Sequence, residues 1–81
     1  MKKKAEIEIA RRAYEYLLYL PGTIPQNCVR LGLDRKIAYR WYHNGMAPSA
    51  RSLQALALDG ADVHYILTGH KKGDQNEHKT D

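Results

Sequence analysis

Two helical patterns meet at Gly32 with almost no chain between them. In the stretch Cys28-Val-Arg-Leu-Gly-Leu-Asp-Arg-Lys-Ile-Ala-Tyr-Arg-Trp41, Cys28 is a small residue where two helices would cross closely. Gly32 gives a short turn a backbone free of Cβ clash. Leu31 and Leu33 flank the glycine and are expected to point inward. Asp34 is placed to cap the next helix by accepting a hydrogen bond from its free N–H groups. Ile37, Ala38 and Trp41 then recur at three to four residues, which is one helical face. Arg35, Lys36, Tyr39, Arg40 and His43 make the other face. The pattern predicts a helix, a tight turn and a second helix, packed on one side. The other side is basic, aromatic and able to donate hydrogen bonds, as a helix entering the DNA major groove must be.

The rest of the chain reads as further helices around this pair. Residues 5–20 predict a first helix with a narrow polar arc of Glu8, Arg11, Arg12, Glu15 and Tyr19. Its apolar arc is wider than one side of a small bundle requires. Glu8 with Arg12, and Arg11 with Glu15, are spaced for weak helical ion pairs. Pro21-Gly22 ends it. Residues 23–32 predict the second helix and its turn, with Thr23 or the peptide before Pro25 at its start. Residues 34–43 predict the third, and Asn44-Gly45 a turn after it. Ser49 is the expected cap of a fourth helix, with Leu53, Leu56 and Ala57 as its buried stripe and Ala55 and Leu58 beside it. Gly60 stops it, and Asp62 caps a short fifth helix in which Val63, Ile66 and Leu67 point inward. No strand pattern and no repeat is found. The expectation is an all-α, five-helix domain over residues 1–69, followed by a polar tail, 70–81, that has nothing apolar to bury and is read as disordered.

The run Leu31-Gly32-Leu33-Asp34-Arg35, then Trp41, Asn44-Gly45, Pro48-Ser49, Leu53, Leu56, Ala57 and Ile66-Leu67-Thr68-Gly69 resembles the Cro/repressor-type (lambda-repressor-like) helix-turn-helix family. It is most similar to the DNA-binding domains of temperate-phage repressors. The resemblance covers roughly residues 5–69, and its specificity lies in the ordered set, not in any one motif. Asn27 stands where the family usually has an apolar residue, and Ala38 is smaller than its usual Ile or Val. The resemblance implies a compact lambda-repressor-like fold and a small, phage-type transcriptional repressor that binds double-stranded DNA sequence-specifically.

Charge and chemistry fit that expectation. The formal net charge is +4. Residues 1–20 hold five basic groups against three acidic. Residues 21–51 hold Arg30, Arg35, Lys36, Arg40 and Arg51 against Asp34 alone, and residues 52–81 hold three lysines against five acids. Positive charge thus peaks on the helix pair and reverses after it, as expected of a polyanion binder, although a solvated face of an ordinary domain would give the same total. Lys36, Tyr39 and Arg40 are the candidates for base edges, since a guanidinium can contact guanine bidentately. Arg35 and His43, at the helix ends, are expected to reach phosphates. Gln26 and Asn27 are candidates for a phosphate or an outer base, and Arg51 for a phosphate at the start of the fourth helix.

Other chemistries find little support. A chain of 81 residues with 43% hydrophobic content carries a modest core and no deep cleft. It has no paired carboxylates, glycine-rich phosphate loop or nucleophile elbow, so no enzyme, cofactor or small-molecule ligand is expected. His43, His64, His70 and His78 do not share a helical turn, and one cysteine gives no metal set or internal disulfide. No apolar run is long enough for a membrane span, and a reducing, cytoplasmic setting is expected. The alternative to DNA binding is a protein-interaction module such as an antitoxin or antirepressor, which the wide apolar arc and Tyr14, Tyr16, Tyr19, Tyr39 and Tyr42 would suit. A DNA reader this small is expected to act as a homodimer on a palindromic operator. Two surfaces are available for the contact: the fifth helix through Tyr65 and an edge of Val63-Ile66, or the first helix through Ile9, Tyr16 and Leu20.

Overall fold

A computed structural model describes residues 4–71, and among them the secondary structure is entirely helical. The elements are α1 (Lys4–Tyr19), α2 (Ile24–Leu31), α3 (Arg35–Asn44), α4 (Ala50–Leu58) and α5 (Val63–Thr68). The tail expected to be disordered lies, beyond His70 and Lys71, outside the described residues; those two follow α5 without helical structure.

The caps explain why the helices begin where they do. Thr23 and Gln26 form a capping box at α2: the Thr23 hydroxyl accepts from the Gln26 N–H, and the Gln26 amide oxygen accepts from the Thr23 N–H. Asp34 accepts from the Lys36 N–H at 2.9 Å and starts α3. Ser49 and Asp62 cap α4 and α5. Between α2 and α3, Gly32 adopts φ 77°, the left-handed region that favours glycine. This lets the Gly32 and Leu33 N–H groups bond back to the Val29 and Cys28 carbonyls, satisfying the end of α2 while the chain reverses into α3.

One core joins all five helices: Ala10, Ala13 and Leu17 of α1, Cys28 of α2, Ala38 and Trp41 of α3, Leu56 of α4 and Ile66 of α5. Each fully buried large side chain contributes about 1.5–3 kcal/mol of transfer free energy. Four alanine or cysteine positions among the eight permit close helix approach, and α1 packs chiefly against α3. Trp41 is 2% exposed, a core residue as its spacing with Ile37 and Ala38 required.

Several inward assignments need correction. Ala57, Leu58 and Leu67 are exposed, and Ser52 takes the buried place on α4. The cause is Asp59. Its carboxylate accepts from the Tyr16 hydroxyl at 2.8 Å and from the Arg30 guanidinium at 2.6 and 3.3 Å. That anchor fixes the rotation of the last turn of α4, with Leu56 inward and Ala57 and Leu58 outward. On α1, Arg12 was placed in the polar arc, yet its side chain is 11% exposed and its Nε donates to the Ile66 carbonyl at 2.8 Å. The expected spacing pairs of α1 are present, Arg12–Glu8 at 4.0 Å and Arg11–Glu15 at 3.9 Å. Ile9, Tyr16 and Leu20, offered as a dimer edge, instead pack against the core.

Candidate nucleic-acid interface

The exposed face of α3 is set by its buried one. Ala38 and Trp41 face α1, so Arg35, Lys36, Tyr39, Arg40 and His43 point to solvent. Asp34 caps the first turn, and Gly45 ends the helix at φ 62° with its N–H bonded to the Arg40 carbonyl. Ile7 of α1 packs on that glycine: a Cβ added there would meet Ile7 at 3.0 Å. The C-terminal end of α3 is therefore held from outside as well as from the core.

Among the described residues, no carboxylate lies within ion-pair distance of Arg35, Lys36, Arg40 or Arg51. The only carboxylate of residues 21–51, Asp34, is spent on the helix cap. Arg30, counted with these cations in the sequence, is not one of them: Asp59 binds it with both oxygens. The Arg30 guanidinium and then the Tyr16 hydroxyl hold the Asp59 carboxyl below the usual carboxylate range. Burial and the hydrogen bond to Asp59 raise the Tyr16 phenol.

Aromatic rings border the cationic face. Tyr39 and His43 meet in a tilted contact with centroids 3.9 Å apart, His43 meets Tyr42 edge-on at 4.6 Å, and Tyr42 stacks on Tyr14 of α1 at 4.7 Å. Arg35, Lys36, Tyr39 and His43 line one open recess of about 330 Å³ with Ile24 and Pro25 of α2. Arg51 lines a separate groove of about 720 Å³ between the α2–α3 turn and α4. Tyr42 and Tyr14 were not among the expected site residues. The i, i+3 spacing of Tyr39 and Tyr42 was a signal for the first; Tyr14 needed the packing of α1 on α3.

The two candidates on α2 fare differently. Gln26 is exposed, but its amide oxygen is held in the capping box. Asn27 is 3% exposed, and its Nδ2 donates to the Leu17 carbonyl at 3.3 Å, tying α2 to the end of α1. Asn27 is therefore withdrawn from the contact surface. The buried amide is satisfied by a carbonyl that the end of α1 leaves open.

Burial first, and then the Asp34 carboxylate, push the Cys28 thiol up. No cluster of three potential metal-ligating side chains occurs among the described residues, and no helix there is long and apolar enough to cross a membrane. No family model, curated protein or solved structure matches this chain.

Proposed function

We propose that the chain is a sequence-specific double-stranded DNA-binding regulator of the phage-repressor type, with a lambda-repressor-like fold in which α3 reads the major groove. One observation carries the reading: the outward face of α3 and the start of α4 hold cations with no carboxylate partner among the described residues, while the opposite face of α3 is locked into the core. A passive helix face mixes its signs; this one leaves four cations free for a polyanion. An α-helix is about 10–12 Å across with its side chains, which matches the roughly 12 Å width of the major groove. Lys36, Tyr39 and Arg40 are the base readers, Arg35, His43 and Arg51 the phosphate contacts, and Gln26 an outer contact through its free amide nitrogen. The chain acts as a homodimer on a palindromic site, and α5 offers Tyr65 and Leu67 for that contact. Occupying a promoter is the simplest regulatory act for such a protein.

A protein-binding module is the second reading, and the exposed Ile7 and Leu18 of α1 favour it. Selection of bound sites from random duplexes decides. The first reading predicts an enriched palindromic sequence that the protein retains in competition with unrelated DNA. Recovery of unenriched sequence alone would leave the second.

A further inference from the structure

α1 carries a stripe that the fold covers only in part: Tyr14 stacks on Tyr42 and Ile7 touches Gly45, while Ile7, Arg11 and Leu18 stay exposed. Ile7, Arg11, Tyr14 and Leu18 fall within about 60° of one another around the helix at 100° per residue. Ile7 is 46% and Leu18 57% exposed. The stripe forms one wall of a groove of about 530 Å³ whose other wall is the end of α3, from Trp41 to Gly45. This edge is not the one formed by Ile9, Tyr16 and Leu20, which is spent on the core.

The order of the stripe is what identifies its occupant. Read backwards, it is again apolar, polar-aromatic or cationic, and apolar. An antiparallel copy centred between Arg12 and Ala13 sets Ile7 against the partner's Leu18 and Leu18 against the partner's Ile7. In the same register, Arg11 faces the partner's Tyr14 and Tyr14 faces the partner's Arg11, the geometry of a cation over an aromatic ring. Glu15 stands beside the stripe at the rim, one turn from Arg11, and the two are linked only by an exposed contact of 3.9 Å. An antiparallel partner brings each Arg11 towards the other copy's Glu15, so the charges complement across the contact as well as within it. A two-fold interface demands this self-complementarity, with residue i meeting j and j meeting i.

We infer that this edge of α1 binds a second copy of the chain, as an antiparallel helix pair distinct from any contact through α5. The groove shares Tyr42 and His43 with the candidate DNA face but not Arg35, Lys36, Arg40 or Arg51, and the self-contact is measured without DNA, so its failure and that of the DNA reading are distinguishable. With both surfaces intact the chain has two self-contacts and can link dimers into larger assemblies. Removing one leaves a dimer; removing both leaves a monomer.

Sedimentation at high micromolar concentration without DNA tests this, with thermal melts reporting that each variant is folded. Tyr65→Asp takes away the α5 contact, and Leu67→Glu replaces it should Tyr65→Asp fail to fold. In that background the expected species is a dimer, and adding Leu18→Glu is expected to give a monomer with an unchanged melting midpoint. Arg11→Glu and Glu15→Arg, each in the same background, are expected to be monomeric alone and to form a mixed dimer when combined, since opposite charges then face each other at every contact. A monomer in the α5-deficient background would overturn the inference. So would a dimer indifferent to Leu18→Glu, or a mixture no more associated than its parts.

Discussion

Arg30 and Arg40 stand on consecutive helices and both are open to solvent, yet only Arg30 is held. Asp59 grips Arg30 with two oxygens, Tyr16 joins the same carboxylate, and Arg12 reaches the Ile66 carbonyl nearby. These bonds tie α1, α2, α4 and α5 to one another. Arg40, with Arg35, Lys36 and Arg51, makes no ion pair among the described residues. The difference shows that a count of cations does not locate a binding surface. Cations used to build the fold have spent their hydrogen bonds, and those available to a polyanion are the ones left over.

The largest effect separating the two regions is expected beneath the free cations. Trp41→Ala should cost about 3–5 kcal/mol of stability, because it empties a site in the only core the described helices share. Such a loss is a large part of the total for so small a chain, so the thermal midpoint should collapse. A folded Trp41→Ala protein that had lost only DNA binding would move Trp41 to the contact face and break the distinction between the sides of α3.

Arginines from the two regions should then fail in different assays. Arg12→Met is expected to lower stability by about 1–3 kcal/mol, since it leaves a part-buried carbonyl without its donor. Arg40→Ala is expected to leave the melt unchanged and to cost about 1–3 kcal/mol of affinity at a selected site, with relaxed preference at one base pair. Melts and titrations of both variants check the crossing; equal loss of stability in the two would erase the comparison.

Acid should act on the tied region first. The folded-state pKa of Asp59 lies below its unfolded value, so its contribution is present above the ordinary carboxylate range and is lost as pH falls through the folded value. The raised Tyr16 pKa works in the other direction: its contribution is present below the ordinary phenol value and fades as pH rises past it. Melting midpoints against pH, for the wild type and Asp59→Asn, should show a weaker acid dependence in the variant. Smaller still is the effect of Arg51→Ala, which should weaken binding to all sequences alike and flatten the salt dependence by about one unit.

How far the sequence reaches follows the same division. Local chemistry was legible: the Asp34, Ser49 and Asp62 caps, the turn at Gly32, and the burial of Ala38 and Trp41 all follow from neighbours within a few residues. The outward placement of Arg35, Lys36, Tyr39, Arg40 and His43 followed from the same periodicity. What escaped depends on partners far apart in the chain. Arg30 meets Asp59 at a separation of 29 residues and Arg12 meets Ile66 at 54, so one cation that looks free in sequence and one expected only in a weak pair on its own helix are both tied across the fold. Asn27 looked like a surface amide until the end of α1 supplied its acceptor. The outward turn of Ala57 and Leu58 came from the anchoring of Asp59, which helical periodicity does not contain.

The most direct test of the free cations is the salt dependence of binding to a selected duplex. Each phosphate neutralised releases counterions, so the logarithm of the affinity falls by about 0.9 per contact for each unit in the logarithm of salt concentration. The account predicts a steep negative slope, reduced by Arg35→Ala and by Arg51→Ala and unchanged by Arg30→Ala in protein that remains folded. A slope near zero, or one that Arg30→Ala flattens as much as Arg51→Ala does, would contradict it.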